Sequence, residues 1–177
     1  RYVQLGESID NPDLVILPGS KNTIEDLLYL RENGYEEEIQ RLVAKGTPVI
    51  GICGGYQMLG TDIFDPCHTE SEIDRVKGLG LLDIKTTFAT DKLTHQVSLE
   101  AVHHSFLDLD ITCSNMTGYE IHMGRTDIAA GSVHAFVITN RSNNTTHALD
   151  GVVREDGLVM GTYIHGIFDN DLYRRSI

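Results

Sequence analysis

The segment Val49-Ile50-Gly51-Ile52-Cys53-Gly54-Gly55 constrains this chain more than any other. Thr47-Pro48 opens a short apolar run that reads as a buried strand, and Tyr56-Gln57-Met58-Leu59 follows at once as the start of a helix. Strand, sharp turn and helix must therefore be joined through a cysteine with small neighbours. Such a turn has a mechanical purpose: it strains the backbone at the nucleophile, and glycines let strand and helix pack closely while the side chain projects outward. The helix N-terminus is then expected to lower the thiol pKa, and its first N–H groups face the place where an oxyanion would form. A buried cysteine beside a glycine-rich turn is the bland alternative, since cysteine is among the most buried residue types; the elbow context favours the nucleophile.

The rest of the chain supplies a frame for that elbow. Asp13–Leu17 is an apolar run closed by Pro18-Gly19, a second buried strand ending in a tight turn. A helix is expected after it, capped by Asn22 or Thr23, with Glu25 and Asp26 in its first turn. Another runs from about Tyr35 to Lys45, with Ile39, Leu42 and Val43 at helical spacing and Gly46 as its stop. Phe64 to Lys77 is polar and acidic and reads as a surface loop. From Leu79 the pattern becomes β-rich, with strands expected near 81–88, 95–102, 118–123, 135–139, 152–154 and 158–164, and a turn or loop over 140–147. The expected fold is α/β: a flavodoxin-like, mostly parallel sheet flanked by helices, with an antiparallel β extension.

At 177 residues the sequence fits one domain, read here as 1–177, with enough apolar content (41%) to bury a core. It starts at Arg1 without a basic-then-apolar leader and reads as a piece of a longer polypeptide. No run approaches the ~18 apolar residues that span a bilayer, so no membrane partner is expected. The net charge of −12, with fourteen scattered basic residues, argues against nucleic acid, which needs clustered Lys and Arg. Three cysteines, Cys53, Cys67 and Cys113, make a poor disulfide framework and fit a reducing cytosol. Cys67-His68, His103-His104 and Cys113 match no usual zinc spacing, so neither a metal nor a cofactor is expected.

A thiolate engaged in acyl transfer needs a proton carrier. Of eight histidines, His165 in Thr162-Tyr163-Ile164-His165-Gly166 stands at the end of an expected strand, where parallel α/β sheets place active residues. Pro18-Gly19-Ser20 ends the other buried strand and is placed to add an oxyanion donor from the backbone of Gly19 or Ser20; a plain tight turn is the alternative.

Four stretches in order, LPGSKNTIEDL, GICGGYQMLG, GYEIHMGRT and GTYIHGIFDND, resemble class I glutamine amidotransferase domains, and in detail the C-terminal glutaminase domains of cobyric acid synthases. The resemblance covers nearly the whole chain. It implies that Cys53 attacks the side-chain amide of glutamine with His165 as base, giving a γ-glutamyl thioester and ammonia. Gly19, Ser20, Gly54 and Gln57 form the expected oxyanion and substrate-binding set. The ammonia would pass to an ATP-dependent synthetase domain, absent from these residues, that amidates adenosylcobyrinic acid a,c-diamide; ATP and Mg²⁺ would belong there. The resemblance also implies that residues 1–5 form a strand of the sheet. Most class I glutaminases carry a Glu two residues after the His, but Gly166 and Ile167 follow His165. Glu120 and Asp169 are internal candidates for the orienting carboxylate and the synthetase domain an external one, while Glu120 and His122 are alternatively substrate contacts or structural residues. Competing readings keep the dyad with another acceptor (a cell-wall precursor or another corrinoid), make the chain a cysteine peptidase, or make it a silent interaction domain.

Overall fold

A computed structural model describes residues 1–4, 6–107 and 109–177, without the side chains of His103, His104 and Asp110. Its central sheet has the order β1-β2-β10-β9. Strands β1 (Val15–Leu17), β2 (Val49–Ile52) and β10 (Val159–Thr162) run parallel, and β9 (Val152–Val153) closes one side antiparallel to β10.

Alternation along these strands sorts two cores. Val15, Leu17, Val49 and Val159 pack with the helices α1 (Thr23–Glu32), α2 (Tyr35–Ala44) and α3 (Gly54–Leu59). Ile50 and Met160, on the other face, join Val97, Leu99, Phe106, Met116, Phe136 and Ile138 of a second sheet and Tyr173 of α4 (Asp171–Ser176). Strands β2 and β10 are buried on both faces, which is why they read as continuous apolar runs, whereas β1 leaves Ile16 exposed on one face.

The second sheet is built on a long hairpin of β5 (Ile84–Phe106) and β6 (Leu109–Ile128). It also holds β3 (Asp62–Phe64), β4 (Arg75–Lys77), β7 (Phe136–Arg141), β8 (Asn144–Asp150) and β11 (Ile164–His165). The expected strands at 81–88 and 95–102 are thus one strand, interrupted where residues 88–91 bulge opposite Gly124. The expected loop over 64–77 contains β4, pinned to β3 where Arg75 and Lys77 both pair with the buried Asp62. The expected loop over 140–147 is the exposed end of a β7–β8 hairpin, turned by Ser142 and Asn143 at positive φ. Its polar composition reflects exposure rather than irregularity.

Two further expectations are corrected. Among the described residues, 1–4 pair with no strand; Arg1 instead bonds Glu7, Ser8 and Asp10, while Leu5 lies outside the described residues. The run 158–164 is two strands in two sheets, because the chain leaves β10 at Tyr163 and pairs with β6 as β11. Buried Asp150 accepts from the Thr162 hydroxyl and from Tyr163 N–H (3.3 Å), and Thr162 Oγ1 accepts from Ile164 N–H (3.0 Å). Side chains thereby satisfy the backbone where the ladder breaks.

Candidate active site

The elbow at Cys53 is a strained turn. Its φ of 53° and ψ of −110° lie where side chains rarely go, a conformation that costs on the order of 1–3 kcal/mol and persists only when its surroundings hold it. Three backbone bonds do so: Cys53 N–H to Thr162 O (2.8 Å), Gln57 N–H to Cys53 O (3.0 Å) and Gly55 N–H to Pro18 O (3.1 Å). Close approach explains the glycines. A Cβ on Gly55 would lie 2.1 Å from Leu17 O, and one on Gly161 2.0 Å from the Tyr56 ring, so any larger residue would push α3 off the sheet.

Cys53, His165 and the Pro18-Gly19-Ser20 turn converge. The point a Cβ on Gly19 would occupy is 3.0 Å from His165 Cε1 and 3.5 Å from Cys53 Cβ. The corresponding point on Gly54 lies 2.9 Å from the backbone N of Ser20. The turn therefore stands on the same side of the sheet as the thiol, with Ser20 N beside Gly54.

Burial sets the electrostatics. It raises the Cys53 thiol pKa; the Gly54 N–H opposes this only in part, and the charge of Glu70 adds to it. The helix N-terminus does lower the thiol pKa through the Gly54 N–H, as expected, but desolvation outweighs it and the net shift is upward. Burial likewise lowers the His165 pKa, opposed in part by the Ile121 carbonyl. The same carbonyl accepts from the Cys53 thiol at 3.3 Å. Both shifts favour the uncharged forms of thiol and imidazole.

Beta-pairing fixes His165. Opposite Tyr119 in the β6–β11 register, its ring stacks on the tyrosine with centroids 4.9 Å apart and planes at 4°. Its Nε2 is buried and has no partner among the described residues.

Neither internal orienter candidate is bonded to His165 among the described residues. Buried Glu120 takes two bonds from Arg141, at 2.7 and 2.8 Å, and no hydrogen bond among the described residues joins it to His165. Asp169 closes against Gly166, its Oδ2 3.2 Å from the Cβ point there, and it too makes no described bond to His165. His122 stacks on Tyr163 with centroids 3.8 Å apart; burial lowers its pKa, and its Nδ1 lacks a partner. Gln57 is held wholly by the protein: its amide donates to Met123 O (3.1 Å) and Tyr163 Oη (3.2 Å) and accepts from Thr23 Oγ1 (3.2 Å). Both amide donors are thus used within the protein and tie α3 to β6 and Tyr163.

Sequence reasoning missed Tyr119, Tyr163 and Glu70. The first two lay inside recognised stretches without a signal of their own. Glu70 fell in the stretch read as a surface loop. Cys67 is exposed and Cys113 half-buried, neither standing at a strand-to-helix turn, and His103 and His104 carry side chains outside the described residues.

Known proteins match this arrangement along the whole chain. The family described as the CobB/CobQ-like glutamine amidotransferase domain matches residues 1–173. The cobyric acid synthases of Pelotomaculum thermopropionicum and Moorella thermoacetica are each 49% identical over 177 residues, all of this chain but 34% of their own length. This chain thus spans about a third of those relatives. Among solved structures, PurLQS from Thermotoga maritima superposes with a TM-score of 0.68 at 21% identity, covering 98% of this chain and 78% of that one, a likeness of fold. The α/β sheet, the elbow and the match over nearly every residue agree: the chain belongs to the CobB/CobQ-like glutamine amidotransferase domains.

Proposed function

We propose that this chain hydrolyses glutamine through a thioester on Cys53 and supplies the ammonia to a synthetase. The observation that carries the reading is the convergence of the strained Cys53, the His165 ring and the Gly19–Ser20 turn on one point. Cys53 Sγ attacks the amide carbon of glutamine as its proton passes to His165. The amide oxygen becomes an oxyanion that accepts from the N–H of Gly54 and of Gly19 or Ser20. His165 returns the proton to the departing nitrogen, which leaves as ammonia. Water, deprotonated by His165, then opens the γ-glutamyl thioester to glutamate and the free thiol. The uncharged forms suit this sequence, since the imidazole must be unprotonated to accept the thiol proton.

The relatives' name and length support the acceptor. This chain would form the glutaminase part of a cobyric acid synthase whose remainder, using ATP and Mg²⁺, amidates adenosylcobyrinic acid a,c-diamide. No helix among the described residues is long and apolar enough to cross a membrane, and three free cysteines suit a reducing compartment such as the cytosol. The unpartnered Nε2 of His165 further suggests a weak glutaminase when alone, completed by its partner domain. Loss of the orienting group in a related triad costs about 10⁴ in turnover. A polar cleft of about 500 Å³ beside Tyr119 and Gly166 offers a partner access near this ring.

A glutamine-analogue electrophile should label Cys53, and Cys53→Ser should abolish glutamine hydrolysis. A label on Cys67 or Cys113, or activity in Cys53→Ser, would overturn the assignment. Turnover should rise when the synthetase part is joined to this domain; equal turnover would overturn the coupling.

A further inference from the structure

The stretch after β3 folds back over the start of α1. Asp65, fully buried, accepts from the N–H groups of Thr69 (2.7 Å), Glu70 (2.8 Å) and Ser71 (3.0 Å), which fixes the direction of the turn. Glu70 is thereby carried to the first turn of α1, where its Oε2 accepts from Thr23 N–H at 2.7 Å. Thr23 is in turn the neighbour of the elbow: its Oγ1 is 3.1 Å from the Cβ point of Gly54 and donates to Gln57. One residue thus separates the Glu70 carboxylate from the backbone that flanks the nucleophile.

This carboxylate is held by neutral donors alone. Among the described residues no Lys, Arg or His pairs with it; its partners are Thr23 and the N–H of Ile24 at the start of α1. Burial raises its pKa, and its charge is among the causes that raise the pKa of Cys53. A negative group held partly out of water beside a thiol that must become a sulfide nucleophile works against the chemistry, unless a positive charge arrives with the substrate. Glutamine brings one. Its α-ammonium lies about 5 Å from the amide carbon when the side chain is extended, four bonds away, a reach that spans from the thiol toward the start of α1.

Resting on the glutaminase reading above, we propose that Glu70 receives the α-ammonium group of glutamine and thereby ties the reactivity of the Cys53 thiol to occupancy of the site. In the empty protein the carboxylate restrains the thiol, which protects it from adventitious electrophiles. Once the ammonium pairs with Glu70 the thiol faces a neutral ion pair, and the restraint is lifted in the complex that is about to react.

The experiment uses the full-length protein and its Glu70→Gln variant with two amides, glutamine and 4-carbamoylbutanoate, which is glutamine without its α-ammonium. In parallel, the substrate-free proteins are alkylated with iodoacetamide and the Cys53 adduct is followed. Glu70→Gln should raise KM for glutamine about tenfold, the loss of one charged hydrogen bond, and should not slow hydrolysis of the deamino amide, which meets the unrelieved carboxylate in the wild type and should be about threefold faster in the variant. Cys53 alkylation at neutral pH should become about threefold faster, because removing a nearby negative charge favours the thiolate. Glu70→Asp should recover part of the preference for glutamine. An unchanged preference with an unchanged alkylation rate overturns the proposal. An equal loss on both amides also overturns it, since that marks a disturbed turn at 65–71. A wild-type protein that hydrolyses neither amide sinks the glutaminase reading itself, whereas glutamine hydrolysis indifferent to Glu70→Gln sinks only this inference.

Discussion

Tyr119 and His165 face each other across β6 and β11, their rings stacked almost parallel at 4.9 Å. With Nε2 unpartnered, this stack and the Ile121 carbonyl are what hold the imidazole in place. Stacking of this kind is worth about 0.5–1.5 kcal/mol. Tyr119→Phe should keep glutamine turnover near wild type, whereas Tyr119→Ala should lower kcat about tenfold as the ring wanders. Global stability should change little, because Tyr119 is largely exposed. Steady-state kinetics beside thermal unfolding checks this; equal kcat in both variants would remove the stack from the account.

The strain at Cys53 predicts an inverted order of stability. At most positions alanine is more stable than glycine, but at φ 53° the glycine carries no Cβ penalty. Cys53→Gly should unfold at higher urea than Cys53→Ala, by about 1 kcal/mol, with both inactive. Alanine proving the more stable would show that the elbow stores no strain.

The shifts of thiol and imidazole predict a pH profile. His165 must be neutral to take the thiol proton, and burial lowers its pKa, so the acid limb of kcat/KM for glutamine should have its midpoint below ~6.5, the free imidazole value. Because burial raises the Cys53 pKa, alkylation of the substrate-free thiol should titrate above the ordinary thiol range. A thiol titrating below that range would mean that an ion pair, not a neutral pair, is the resting state.

Buried Glu120 and half-buried Arg141 form a two-bond pair whose loss should show in stability. Arg141→Met leaves the Glu120 carboxylate buried without its cation and should cost about 3 kcal/mol by urea unfolding. The double variant with Glu120→Gln should recover most of that loss. Additive losses in the double variant would mean that the pair carries little coupling.

What the sequence determined by itself is local. A cysteine between an apolar run and glycines dictates a strained elbow, a Pro-Gly-Ser turn ends the neighbouring strand, and a histidine ends a third, because each of these rests on spacing within a few residues. Helix limits were legible for the same reason: Asn22 caps α1 with its Oδ1 on Glu25 N–H, and Gly46 ends α2 at a positive φ. Tertiary structure alone decided what depends on distance along the chain or on burial. Glu70 meets Thr23 across forty-seven residues, and no pattern in a polar stretch announces which carboxylate a buried Asp65 will aim inward. The split of 158–164 into two sheets needed Asp150 to satisfy the backbone at Tyr163. Gln57 was claimed by Met123 and Tyr163, residues remote in sequence. The net upward direction of the Cys53 shift followed from desolvation, which the packed surroundings set and the order of residues does not display.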